Sequence, residues 1–281
     1  MDRTLFSPTM LEAFRACKRA YFLAYHRDGA EQARAQASSI CKRFILRGLA
    51  EINRARLSSV SQIQKFMGES WPVERLSGDP DLKDAATRAF LFTYKTLLRY
   101  QSQPYLPKGA QVEGVSTRVR SRVQNERVYL EEVFDLVLWY PEERKLELVI
   151  FNLRPVKEIN PAWPSATHLV RQHLAERLRV RLPYERLVLT NIKVGPQEMK
   201  ITSREASSEM YRLHWPEIVK SLSEMKEMAD MPEHDGVHAK EGCSYCRAIE
   251  SRMAAEVISV REVTEEDALG GEISGKYPLS A

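Results

Sequence analysis

Residues 111–154 read QVEGVSTRVRSRVQNERVYLEEVFDLVLWYPEERKLELVIFNLR, and this stretch decides the fold. Its first part, QVEGVSTRVRSRV, alternates polar and apolar side chains, the pattern of a half-buried strand. The polar tetrapeptide QNER is a turn, and VYLEEVFDLVLWY resumes the alternation. PEER turns the chain again, and KLELVIFNL is a third strand. Three strands joined by short turns form an antiparallel meander.

Outward from the meander the period changes to that of helices. On the N-terminal side, Thr9 and Glu12 have capping-box spacing just after Ser7 and Pro8, so a first helix is predicted there. Further helices are predicted over about 36–57, 60–70 and 81–103. In the second of these four, Ile40, Phe44, Leu46 or Ile45, Leu49 and Ile52 face inward. On the C-terminal side a helix over about 166–181 precedes an apolar strand at 185–194. That strand follows a crossover helix and is expected to pair parallel to a meander strand. A short strand near 198–203, a helix over 205–229 and a short helix near 246–256 complete the reading.

The order of elements predicts an α/β fold with a mixed sheet. Residues 1–105 are a helical N-terminal portion, 106–204 an α/β core, 205–258 a helical C-terminal cap and 259–281 a flexible tail, all in one structural unit.

The 281 residues carry 42 Lys and Arg against 38 Asp and Glu, a formal charge of +4. With 43% hydrophobic and 28% charged residues, the chain is neither disordered throughout nor collagen-like. No apolar run approaches the roughly 18–20 residues needed to span a bilayer. The opening MDRTLFSPTM lacks the apolar segment of a secretory signal. A cytoplasmic protein with no membrane partner is therefore expected. Of the four cysteines, Cys17, Cys41, Cys243 and Cys246, the last two form a C-x-x-C pair. In that compartment they are expected to be unbridged or metal-bound.

Several collinear segments resemble the PD-(D/E)XK nuclease superfamily, most closely its RecB/AddB-type branch, which is related to CRISPR-associated exonucleases. The opening SPTMLEAFRACKRAYFLAY is similar to that branch's N-terminal helix through Ser7, Pro8, Leu11, Cys17, Arg19, Tyr21 and Phe22. The meander resembles the nuclease core, and the helix bearing Gln172 stands where the branch has a Gln-x-x-x-Tyr helix. The resemblance covers roughly residues 5–250. It implies a restriction-endonuclease-like mixed sheet flanked by helices.

It also implies a site, and the residues depart from it. Mg²⁺-dependent phosphodiester hydrolysis needs carboxylates to hold the cation and a lysine to orient water. Asp135 matches the first metal-binding Asp, and Glu113 is the counterpart of a Glu on the first strand. Where the family has an acidic-x-Lys triplet, Asn152 stands for the acid and Arg154 for the lysine. Arg47 stands where an upstream helix should carry His, and Glu176 replaces the Tyr after Gln172. An amide cannot neutralise Mg²⁺, and a guanidinium stays protonated at any relevant pH. Glu131 and Glu132 read as solvated turn or edge residues.

The iron–sulfur members of the branch place one Cys in the first helix and three near the C-terminus. Cys17, Cys243 and Cys246 match three of the four, and Arg252 stands at the fourth. The resemblance thus leaves a 4Fe-4S cluster, a zinc site with His238, or unliganded thiols. Arg118, Arg120 and Arg122 alternate along one strand and share a face. With Arg171 and Arg177 they are candidates to track a phosphate backbone. The function implied is a nuclease-like protein, catalytically impaired, that binds DNA or scaffolds a DNA-processing or defence complex with a helicase or other protein partner. An active Mg²⁺-dependent exonuclease or endonuclease and a purely protein-binding module are the alternatives.

Overall fold

The computed structural model describes residues 4–25, 31–71, 83–123, 128–153, 165–229, 242, 243 and 246. Arg154, His238, Arg252, the 246–256 helix beyond its first residue and the C-terminal tail lie outside the described residues.

A short strand β1 (Thr4–Phe6) opens the chain. Ser7 then caps α1 (Pro8–Ala16), its side chain accepting from the Met10 N–H, with Pro8 in the first turn where its missing donor does no harm. The expected single helix breaks at Cys17, whose backbone is extended (φ −163°, ψ 114°). It resumes as α2 (Lys18–Tyr25). Glu12 is not a capping-box partner of Thr9; its carboxylate accepts instead from the backbone and hydroxyl of Thr167.

Next come α3 (Glu31–Asn53), α4 (Val60–Ser70) and α5 (Lys83–Ser102). A reciprocal capping box between Ser59 and Gln62 starts α4. Gly48 lets α3 settle on α5: a Cβ there would stand 2.7 Å from a Leu97 methyl carbon.

The meander follows as β2 (Gln111–Val123), β3 (Val128–Tyr140) and β4 (Lys145–Asn152). Helix α6 (Ala166–Ala175) crosses to β5 (Arg186–Val194), then β6 (Met199–Glu205) and α7 (Ser208–Ala229). Helix α6 stops six residues short of expectation and continues as tight turns with i to i+3 backbone bonds. Leu178 and Leu182 still pack on the core beneath α6, while Val180 between them is 96% exposed.

β2 and β4 both pair antiparallel with β3, β5 runs parallel to β4 as expected, and β6 is antiparallel to β5. β1 pairs parallel with Val128–Leu130 of β3. That pairing was not read from sequence, and three residues are too few to show a period. The result is a six-stranded mixed sheet. Helices α1, α2, α6 and α7 pack on one face and α3, α4 and α5 on the other. Coverage of both faces explains why β4 is an almost continuous apolar run: Leu146, Leu148 and Ile150 enter one core, Val149 and Phe151 the other.

Candidate functional site

The sheet splits at Asp135. On one edge β3 pairs with β2 along its length; on the other, β1 takes residues 128–130 and β4 takes 136–140. Residues 131–135 therefore have no strand partner on that second edge among the described residues. Here the Asp135 carboxylate replaces the ladder, accepting the Phe151 N–H at 2.7 Å.

The burial alternation also slips at this point. Phe134 and Val137 both enter the core beneath α6, whereas Leu136 enters the opposite one. Ser116, opposite Asp135 in the β2 register, has φ +54°, a left-handed conformation that L side chains adopt rarely. A strict period of two would put Glu132 and Asp135 on opposite faces. Glu132 meets Arg171 of α6, and Asp135 feels Lys42 of α3 on the opposite face as well as Arg171.

Glu132 is accordingly not a solvated edge residue. Its two oxygens accept from Arg171 Nε at 2.8 Å and Nη2 at 2.9 Å, and the two side chains are only 12% and 11% exposed. The remaining guanidinium nitrogen donates to Asn191 Oδ1 at 3.0 Å. Asn152 Nδ2 donates to the same oxygen at 3.3 Å and to the Ile150 carbonyl at 3.4 Å. One network thus joins β3, α6, β5 and β4 beside Asp135.

Asp135 is 8% exposed. Burial pushes its pKa from 3.8 to about 7; the Phe151 N–H opposes that rise, Glu132 adds to it, and Lys42 and Arg171 oppose it. Burial therefore works against the charge of this carboxylate.

The other residues singled out in the sequence are distributed as follows. Gln172, on α6, donates to the Ser207 carbonyl at 3.2 Å. Its Oε1 is buried without a hydrogen-bond partner among the described residues. Glu113 lies at the β2 bulge and pairs with Arg181 at 3.1 Å. Arg47 lies 5.5 Å from the centroid of the Phe66 ring of α4; the α3 cation that Asp135 feels is Lys42. Arg118 and Arg120 project from β2 and share Glu131, at 3.8 and 2.6 Å. Arg122 and Arg177 are exposed. Arg171, grouped with them by sequence, belongs to the Glu132–Asn191 network instead. Glu132, Asn191 and Lys42 were not singled out by sequence. The one local signal was the acid three residues before Asp135.

A second polar centre sits on the other face of β4. Glu147 is 4% exposed and accepts from Tyr140 at 2.6 Å, Tyr105 at 2.7 Å and Thr190 at 2.6 Å. Burial and this carboxylate push both tyrosines far above their ordinary pKa. A carboxylate filled by three hydroxyls is a structural device.

The cysteines form a third group. The sulfurs of Cys17, Cys243 and Cys246 all lie within 4.8 Å of one another, Cys17 and Cys246 being 3.6 Å apart. Cys41 is buried but outside this group.

No protein-family model matches the chain, and no curated protein matches it significantly. Among solved structures, the crystal structure of a protein named "Putative exonuclease" from Eubacterium rectale aligns over 88% of each chain. Its TM-score is 0.44 and its sequence identity 12%. No described helix is long and apolar enough to cross a membrane.

Proposed function

We propose that this chain is a nuclease-like protein of the PD-(D/E)XK type, RecB/AddB branch, in which a built-in guanidinium has replaced the catalytic cation. It binds DNA, or scaffolds a DNA-processing or defence complex, without cutting. The observation that carries this reading is the Arg171 fork on Glu132 beside Asp135. A hard divalent cation needs carboxylate oxygens that are ionised and unoccupied. Glu132 has both oxygens engaged. Asp135 is held by a backbone N–H and its charge is suppressed by burial. Asn152 is neutral, and its amide nitrogen is directed to Asn191 and Ile150. Mg²⁺ binding would require breaking a buried ion pair and ionising Asp135 fully.

DNA contact falls to the exposed arginines of β2. Arg118, Arg120 and Arg122 project from one strand face, and Arg177 follows α6. Arg171 leaves this set because its donors are spent on Glu132 and Asn191. The cysteine group lies apart from the network and serves stability in this reading.

The test is incubation with single- and double-stranded DNA in Mg²⁺ or Mn²⁺, with binding titrated against salt. No cleavage is expected, and affinity should fall with salt. The Arg118→Ala/Arg120→Ala/Arg122→Ala variant should flatten the log–log salt slope by about 3. Cleavage that disappears in Asp135→Ala would overturn the inactive assignment. Salt-independent retention, or none, together with a stable protein partner, would favour a protein-binding module instead.

A further inference from the structure

The family resemblance implies a 4Fe-4S cluster at the cysteines, and the sulfur positions do not fit one. A cubane takes one thiolate on each of four irons, so its ligating sulfurs stand apart by the width of the cluster. Here three sulfurs crowd within 4.8 Å, and the only other cysteine, Cys41, is not among them. Two thiolates on one tetrahedral ion with Zn–S bonds of about 2.3 Å stand about 3.8 Å apart; Cys17 and Cys246 are at 3.6 Å. A disulfide would need about 2.05 Å.

We infer that Cys17, Cys243 and Cys246 hold a single zinc-class ion that staples the α1–α2 junction to the C-terminal segment. The helix break at Cys17 has a use in this arrangement. It turns the sulfur to the N-terminus of α2, where the Ala20 N–H points at it from 3.5 Å. The junction is already tied to α7 through Lys18–Glu224 at 2.8 Å and Arg15–Glu217 at 3.4 Å. The ion extends that seam to residues 243–246. Three protein thiolates leave the fourth tetrahedral position to another donor.

The inference is independent of DNA binding and is tested without it. The full chain, purified anaerobically from medium containing both zinc and iron, is assayed for metal and acid-labile sulfide. About one zinc per chain, no iron and a colourless product are expected. Exchange with Co²⁺ should give the intense visible bands of a tetrahedral thiolate site. Cys243→Ser, at the least buried of the three positions, should weaken zinc affinity more than about tenfold with unchanged circular dichroism, and Cys41→Ser should leave it intact. Iron with equimolar sulfide, a metal-free chain whose cysteines all react with a thiol reagent, or a Cys17–Cys246 disulfide in the mass spectrum would each overturn the inference.

Discussion

Replacing Arg171 by methionine separates a structural cation from a phosphate contact. The change keeps the aliphatic stem and removes the fork, leaving Glu132 at 12% exposure with two oxygens stripped of bonds at 2.8 and 2.9 Å. Breaking a buried pair by deleting one partner costs about 3–5 kcal/mol, because a buried charge is left uncompensated. Asn191 also loses a donor, worth about 1 kcal/mol. Both side chains keep some exposure, so a loss of about 3 kcal/mol is expected for Arg171→Met. Glu132→Leu, which strands the guanidinium instead, should lose a similar amount. Deleting both partners removes charge and counter-charge together, and the double variant should lose less than about 2 kcal/mol. The coupling energy is then about 4 kcal/mol, large for adjacent residues. The assay is urea unfolding of the four proteins followed by circular dichroism at pH 7, with DNA affinity measured on the same samples. Single losses below about 1 kcal/mol that simply add, accompanied by a drop in DNA affinity for Arg171→Met, would refute the argument and return Arg171 to the phosphate-binding set.

Two further outcomes follow from the buried acids. The folded chain holds a proton on Asp135 up to about pH 7 that the unfolded chain releases near 3.8. Stability from this group is therefore lost as pH rises across that window and stays lost above it. Asp135→Asn, which keeps an acceptor for the Phe151 N–H, should match the wild type near pH 4 and exceed it at pH 8 by up to roughly 4 kcal/mol; a variant less stable at pH 8 would contradict the burial argument. Tyr140→Phe takes one of three hydroxyls from Glu147 and should lower stability by about 1.5–3 kcal/mol in the same unfolding assay. The same change at Tyr184, bonded to the half-exposed Glu176, should have a smaller effect.

The elements were legible because their signals are local. Alternation over 111–152 yields three strands with nearly the observed bounds, and apolar spacing in residues 44–52 yields the buried stripe of α3. The N-cap of α1 was legible less well: Ser7 caps it where Thr9 and Glu12 had the expected spacing. The bound of α6 was misread for a related reason. Its sequence stays helix-compatible through 181, but the backbone after Ala175 tightens into i to i+3 turns that still seat Leu178 and Leu182 on the core.

Sequence alone determined that a meander, a crossover helix and a parallel strand exist, and that Asp135 lies mid-strand. Those facts depend on side-chain identity and short periods. Tertiary structure decided that β1 joins β3, that the burial alternation slips beside Asp135, and that Arg171 closes on Glu132 instead of facing solvent. It also decided that Cys17 meets Cys246 across a sequence separation of 229. Each of these depends on a register slip or a long-range approach, and nothing in a run of neighbouring residues encodes which distant charge or thiol will arrive to satisfy a group once water has been excluded.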